Sequence, residues 1–173
     1  ELIISGNNFS VTFDKVTGLM TGYEYKGTSL ILRAPRPDFW RAPTDNDFGN
    51  EMDKRCAVWR KAGQDLKLMD FKYRKSARGA VEIYTLFQLP VVGCSHEVKY
   101  TVLGDGEVVI YNRLIPCEIR QPEIPRFGMS LHVPGTFRDV VWYGRGPHEN
   151  YCDRKTSAFI AKYRTTVDDM VVP

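Results

Sequence analysis

Apolar and polar residues alternate along most of this chain with a period of two, which is typical of strands that bury one face. Phe9, Val11 and Phe13 alternate with polar residues, and residues 97–102 repeat the pattern. Further strands are predicted over residues 66–73, 80–89, 97–103, 107–115, 127–133, 139–142 and 157–163.

Turn residues separate these runs. Lys26-Gly27 lies between two apolar runs, and Gly104-Asp105-Gly106 joins two strand patterns. Glycine supplies the positive φ that tight hairpins need. Because helical crossovers between parallel strands are missing, we predict an all-β fold, a large antiparallel sandwich.

One segment departs from the period of two. Met52, Cys56, Trp59 and Gly63 follow the spacing of one helix face, and Asn50 precedes them as a candidate cap. The spacing predicts one short helix near residues 51–63, packed on the sheet through its Met52 and Trp59 side.

Length and charge narrow the function classes. A chain of 173 residues is long enough for one core, so we predict a single domain over residues 1–173. The net charge of +3 does not indicate a nucleic-acid-binding surface. No apolar run reaches the length of a membrane span. We therefore expect neither nucleic acid nor membrane as a partner, and a soluble protein of undetermined compartment, cytoplasmic or periplasmic.

The four cysteines lie far apart in the sequence. Cys56, Cys94, Cys117 and Cys152 show neither zinc-ligand nor redox-dithiol spacing. Free, buried or half-buried thiols are the expectation, with a structural disulfide as the alternative.

Two longer motifs carry a resemblance. They are FWRAPTDND at residues 39–47 and WYGRGPHENYCDR at residues 142–154. Together with the entry hairpin around residues 8–18, they resemble the carboxy-terminal, small-chain domain of bacterial β-galactosidases of glycoside hydrolase family 2.

The resemblance implies a galactose-mutarotase-like supersandwich, of which this chain is the N-terminal part. Because Val171 and Val172 begin another apolar run, we expect the sandwich to be truncated at its C-terminal side. It also implies that the two catalytic glutamates lie on a separate barrel domain of the parent chain, so we expect no catalytic residue and no activity here. The parent is expected to hydrolyse terminal β-galactosides, to depend on magnesium and sodium, and to form a homo-oligomer, with no cofactor bound by this chain.

Asp45, Asn46 and Asp47 form the most chemically loaded stretch. Three acceptor-bearing residues in a row could bind sugar hydroxyls, ligate a hard cation or satisfy backbone amides. The preferred interpretation is a structural clasp of Arg41, Asp45 and Asn46, in which Arg41 pairs with one carboxylate and Trp40 packs beneath it.

The same region is the candidate substrate contact. In the resembled family, the stretch that follows the first motif borders the active-site cleft. This positions Asp47, Phe48, Gly49 and Asn50 as cleft-lining candidates.

Two other function classes stay open from the residues. A stand-alone carbohydrate-binding module needs an exposed aromatic platform, for which Trp40, Trp59 and Trp142 are the candidates. A mutarotase-like epimerase needs His148 and Glu149 to converge on one pocket. Adjacent residues on an extended chain point in opposite directions, which favours a structural corner at that pair.

Overall fold

The computed structural model describes residues 1–76, 79–116 and 119–171. The chain divides into two compact units, Glu1–Val133 and a second unit that begins at Pro134. The strands of the first unit are β1 (Leu2–Ser5), β2 (Phe9–Phe13), β3 (Met20–Tyr25), β4 (Thr28–Ser29), β5 (Arg33–Asp38), β6 (Lys67–Lys75), β7 (Val81–Leu89), β8 (Cys94–Val102), β9 (Val108–Ile115) and β10 (Gly128–His132). The prediction of one domain over residues 1–173 stays a prediction.

Two four-stranded antiparallel sheets, β1-β2-β3-β4 and β6-β7-β8-β9, form the body of the first unit. Their facing sides share one buried core, in which the Phe13 and Tyr100 rings meet edge to face with centroids 5.0 Å apart. The Tyr23 hydroxyl donates to the Gly106 carbonyl across 2.7 Å and so links β3 to the β8–β9 turn. The all-β sandwich prediction is confirmed; the assignment to the mutarotase-like supersandwich rests on the resemblance alone.

Both predicted turns have the expected backbone. Lys26 and Gly27 have φ of 49° and 74°, the two positive values that a two-residue hairpin turn needs, and Gly106 has φ of 96°. The alternation did not predict β5, which contains Pro35 and Pro37. Proline is tolerated there because β5 pairs only with β10, in a separate two-stranded sheet.

The helical segment predicted near residues 51–63 is present, but it is divided into shorter pieces. The structure has α1 (Asp45–Gly49), α2 (Met52–Arg55) and a 3₁₀ turn (Ala57–Arg60). Glu51 breaks the helix because its backbone is left-handed, with φ of 59°, and Asn50 is the C-cap of α1 rather than the cap of α2.

The predicted helix face is nevertheless buried. Met52, Cys56 and Trp59 are at most 4% exposed and form a second core with Phe39 and Leu89. The helical spacing of these residues identifies which side chains are buried. It does not reveal where the helix is interrupted, because the separate helical turns bury the same side. This second core holds the helical segment against the end of the β6–β9 sheet.

The cysteines differ from the expectation at two positions. Cys56 is a free, buried thiol, as predicted, whereas Cys152 is free but exposed and Cys94 is disulfide-bonded. Cys117 lies outside the described residues. Disulfide pairing follows proximity in the folded chain, which the sequence spacing of distant cysteines does not report.

The second unit is built on one hairpin. Strands β11 (Asp139–Gly146) and β12 (Phe159–Thr166) pair in antiparallel register, and Trp142 stacks on Tyr163 with ring centroids 5.2 Å apart. The Gly146–Pro147 peptide is cis, and a 3₁₀ turn (Asp168–Met170) follows β12. Val171 is exposed, while Val172 and Pro173 lie outside the described residues.

Gly63 sits where two backbones cross. A Cβ atom there would lie 1.8 Å from the Pro37 carbonyl oxygen, far inside van der Waals contact. Glycine is therefore required by the close approach of the segment after the 3₁₀ turn to β5.

We predict that Gly63→Ala lowers the free energy of unfolding by about 1 to 3 kcal/mol or prevents folding, because backbone must move to admit the methyl group. Gly104→Ala is the control, since nothing lies within 4 Å of a Cβ at that position. Denaturant unfolding of both variants measures the difference. Equal stability of the two variants would contradict the close approach of the backbones at Gly63 and Pro37.

His96 on β8 is fully buried among aromatic rings. Its Nε2 lies 3.1 Å from Asn112 Oδ1, while no partner for its Nδ1 occurs among the described residues. Phe39 and Phe127 pack against the imidazole, with ring centroids 5.7 and 6.1 Å away. Burial lowers the pKa of His96 below its usual range, and the Asn112 hydrogen bond only partly opposes this.

We predict that acid destabilises the protein through His96. The unfolded chain binds a proton near pH 6.5 and the folded chain only at lower pH. Stability is therefore unaffected above pH 6.5 and falls below it, by at most about 1.4 kcal/mol per pH unit, until the folded pKa is passed.

Unfolding free energies of the wild type and His96→Gln between pH 8 and pH 5 test this. The wild type should lose stability more steeply below pH 6.5. A His96 NMR titration with a midpoint at or above 6.5 would rule the effect out.

Candidate functional site

The candidate site lies on α1, which follows β5 and the second-core residue Phe39 along the chain. Thr44 is its N-cap: the Thr44 hydroxyl accepts the Asp47 amide N–H at 3.4 Å, and Asp47 Oδ2 accepts the Thr44 amide N–H at 2.8 Å. This reciprocal capping box satisfies backbone donors that the first helical turn leaves open. The acceptor-bearing stretch from Asp45 to Asp47 is therefore the start of a helix.

Arg41 pairs with Asp47 through both arms of its guanidinium. Nη1 contacts Asp47 Oδ2, and Nη2 donates to Oδ1 across 2.8 Å. A two-point ion pair of this kind fixes direction as well as distance. Asp47 is only 7% exposed, so the pair is sheltered from solvent on the carboxylate side.

The Arg41 hydrogen bonds hold the pKa of Asp47 at about 2, below its usual range, and the Thr44 backbone N–H adds to the effect. The carboxylate is therefore ionised throughout the range in which proteins work. A permanently charged, ion-paired aspartate serves as an anchor rather than as an acid or base.

Arg41 also reaches a second segment of the chain. Its Nε donates to the Pro125 carbonyl across 3.3 Å. The Trp59 indole N–H donates to the Pro122 carbonyl across 3.0 Å, and Arg55 pairs with Glu123 at 2.5 Å. Residues 122–125 are thus strapped to the helical segment.

The clasp differs from the predicted one. Arg41 pairs with the carboxylate of Asp47, while Asp45 and Asn46 are exposed. At the first two positions of a helix, side chains point away from the cap, and the third position reaches back to it. Trp40 is half-buried and lies under the Arg60 guanidinium, 4.7 Å from ring centroid to Cζ.

The cleft-lining candidates divide into an anchor and a tip. Asp47 is buried in the clasp, whereas Phe48, Gly49 and Asn50 are exposed at the far end of α1. Phe48 exposes 56% of its surface. No atom lies within 4 Å of a Cβ at Gly49, so packing does not require glycine there.

The His148-Glu149 pair does not converge. His148 Nδ1 lies 2.8 Å from its neighbour's carbonyl oxygen and Nε2 lies 3.3 Å from the Ser157 carbonyl oxygen. The Glu149 carboxylate pairs instead with Arg154 at 2.8 Å. These contacts favour a structural corner and count against the epimerase alternative.

The tryptophans do not offer the platform that a carbohydrate-binding module needs. Trp59 is 2% exposed, and Trp40 and Trp142 are half-buried under Arg60 and beside Tyr163 respectively.

Across residues 1–76, 79–116 and 119–171, no group of three or more His, Cys, Asp or Glu side chains could hold a metal ion. Helices in the same ranges are all too short or too polar to cross a membrane.

Sequence reasoning missed Thr44 and the strap at residues 122–125. The Thr44-x-x-Asp47 spacing is a capping-box signal and could have placed the start of α1. The strap has no comparable signal, because two of its bonds use backbone carbonyls that any sequence carries and the third joins Arg55 to the distant Glu123.

The fold and the site define an all-β sandwich domain with an ion-paired helical corner. A family model described as "Beta galactosidase small chain" matches residues 5–173. The chain belongs to this β-galactosidase small chain family.

Curated relatives agree. The chain is 40% identical over 172 residues to a β-galactosidase of Priestia megaterium (strain DSM 319 / IMG 1521), covering 99% of this chain and 16% of the relative. It is 33% identical to β-galactosidases of Clostridium acetobutylicum, over 94% of this chain and 18% of the relative, and of Lactobacillus delbrueckii subsp. bulgaricus, over 96% and 16%. The chain therefore spans less than a fifth of the length of these relatives.

We predict that Asp47→Asn lowers the melting temperature by roughly 3 to 6 °C at pH 7, because the ion pair and the capping box are lost together. Asp45→Asn is the matched control, since Asp45 is exposed on the same helical turn. Equal shifts in the two variants would contradict the clasp.

Comparing the wild type with Asp47→Asn at several pH values gives a second test. Because the pKa of Asp47 is lowered from 3.8 to about 2, its contribution is complete above pH 3.8 and is lost as the pH falls through 2. The stability difference between wild type and Asp47→Asn should therefore persist at pH 4 and shrink toward pH 2. A difference that vanishes by pH 4 would show that the carboxylate is not held by Arg41.

Proposed function

We propose that this chain is a non-catalytic domain of a β-galactosidase that hydrolyses terminal β-galactosides. The supporting observation is the family match over residues 5–173 to a small chain, in relatives about six times longer that are named β-galactosidases. In this proposal a separate barrel domain of the parent, meaning the full-length enzyme, carries the two carboxylates that glycoside hydrolysis needs.

The domain has two roles in the proposal. It supports the barrel, and its α1 tip lines part of the active-site cleft, with Phe48, Gly49 and Asn50 facing the galactoside. Support comes from the contrast between the anchored Asp47 and the exposed residues beside it. An aromatic side chain on a rigid base can stack on a sugar with little loss of conformational entropy.

We further propose that magnesium and sodium are bound elsewhere in the parent, which acts as a homo-oligomer. The acidic and histidine side chains in the described part of this chain do not fit a metal site.

The first test is activity of the purified chain on a chromogenic β-galactoside. We expect no turnover, because the proposal locates both catalytic carboxylates outside this chain. Turnover that scales with the chain's concentration and survives repurification would overturn the non-catalytic assignment.

The second test examines the tip in the parent. Phe48→Ala should raise KM for a β-galactoside about tenfold, the effect of losing about 1.4 kcal/mol of binding, with an unchanged melting temperature. Tyr111→Ala on the outer face of β9 is the control, since Tyr111 is 54% exposed and Phe48 is 56% exposed. An unchanged KM in Phe48→Ala would remove the cleft-lining role and leave the supporting role.

A further inference from the structure

The first unit contains a polar cavity of about 700 Å³, away from the α1 tip. Its walls come from β5, β10, the turn between β2 and β3, and the segment around the 3₁₀ turn. A volume of this size lies within the range of small-molecule sites.

Three arginines, Arg33, Arg36 and Arg60, line this cavity. None of them forms an ion pair with a carboxylate in the parts of the chain that the structure describes. This separates them from seven other arginines that do, namely Arg41, Arg55, Arg74, Arg126, Arg138, Arg154 and Arg164.

Two of the three guanidinium groups are held in place. Arg36 Nη1 donates to the Gln64 carbonyl across 3.1 Å, and Arg60 stacks over the Trp40 ring with Cζ 4.7 Å from the centroid. A guanidinium that is already oriented loses less entropy when it binds an anion through its fork.

Two carboxylates in the cavity wall are already engaged. Asp14 accepts the Val16 amide N–H at 2.8 Å and the Thr17 hydroxyl at 2.9 Å. Asp38 accepts the Trp40 amide N–H at 3.1 Å and lies 3.9 Å from Arg126. Three arginines against these two carboxylates leave the cavity lining with an excess of positive charge.

The remaining polar groups suit a hydroxylated ligand. Thr21, Ser130 and Gln64 line the cavity beside the arginines, and His132 lies opposite Arg33 in the β5–β10 register. Hydroxyl and amide side chains can donate to and accept from sugar hydroxyls.

We propose that this cavity binds an anionic monosaccharide, a sugar phosphate or a sugar acid. Its anionic group pairs with Arg36 and Arg60, and its hydroxyls bond Thr21, Ser130 and Gln64. The site is separate from the cleft-lining role and does not depend on the proposed function.

Calorimetric titration of the chain tests the proposal, with glucose 6-phosphate and glucuronate as ligands. Glucose, which lacks the anionic group, and inorganic phosphate, which lacks the sugar, serve as control ligands. We expect at least one anionic sugar to bind at least tenfold more tightly than either control ligand. The anionic sugar that binds more tightly identifies phosphate or carboxylate as the preferred anion.

The variant Arg36→Gln/Arg60→Gln should weaken that binding at least tenfold. Arg113→Gln is the control, because Arg113 lies on β9, outside the cavity lining, and no carboxylate among the described residues pairs with it. Amide chemical-shift mapping on the wild type needs no variant and should place the largest changes at Arg36, Gln64 and Ser130.

Three results would overturn the proposal. These are no binding of either anionic sugar, binding no tighter than that of inorganic phosphate, and shift changes centred outside the cavity. Equal weakening in Arg113→Gln would overturn it as well, since the effect would then be one of net charge.

Discussion

The ion pair between Arg41 and Asp47 is the contact on which the helical corner depends. Arg41 follows Phe39, which is fixed in the second core, and its guanidinium reaches both the start of α1 and the Pro125 carbonyl. The start of α1, six residues further on, and a segment 84 residues away therefore meet at one side chain. Because the Asp47 carboxylate also closes the capping box with Thr44, one charge both begins the helix and ties it down.

In this corner the residue that is held rigidly and the residues that are exposed are different ones. Asp47 is buried and ionised, while Phe48, Gly49 and Asn50 are exposed at the end of α1. A surface that is precise at its base and accessible at its tip suits contact with a ligand or another domain. On the basis of the family membership, we propose that this surface lies beside the active-site cleft of a much larger β-galactosidase.

Period-two alternation predicted the sandwich because strands with one buried face must repeat every second residue, as Phe9, Val11 and Phe13 do. It could not predict β5, in which buried prolines interrupt the pattern. The stripe of Met52, Cys56 and Trp59 predicted the buried face but not the break at Glu51, which depends on one left-handed residue.

The motif drew attention to residues 41–50, but it could not say which carboxylate Arg41 pairs with, because that depends on where the helix begins. With α1 starting at Asp45, only Asp47 occupies the third position that folds back on the cap. The strap at residues 122–125 and the Arg33, Arg36 and Arg60 cavity arise from contacts between distant segments, which local patterns do not encode.

A double-mutant cycle on Arg41 and Asp47 tests the central claim most directly. Melting temperatures of Arg41→Gln, Asp47→Asn and the combined variant report whether the two side chains act as one unit. The account predicts strong non-additivity, with the combined variant hardly less stable than the worse single variant. Additive losses would show that the two side chains act independently and that the corner is held by its apolar core alone.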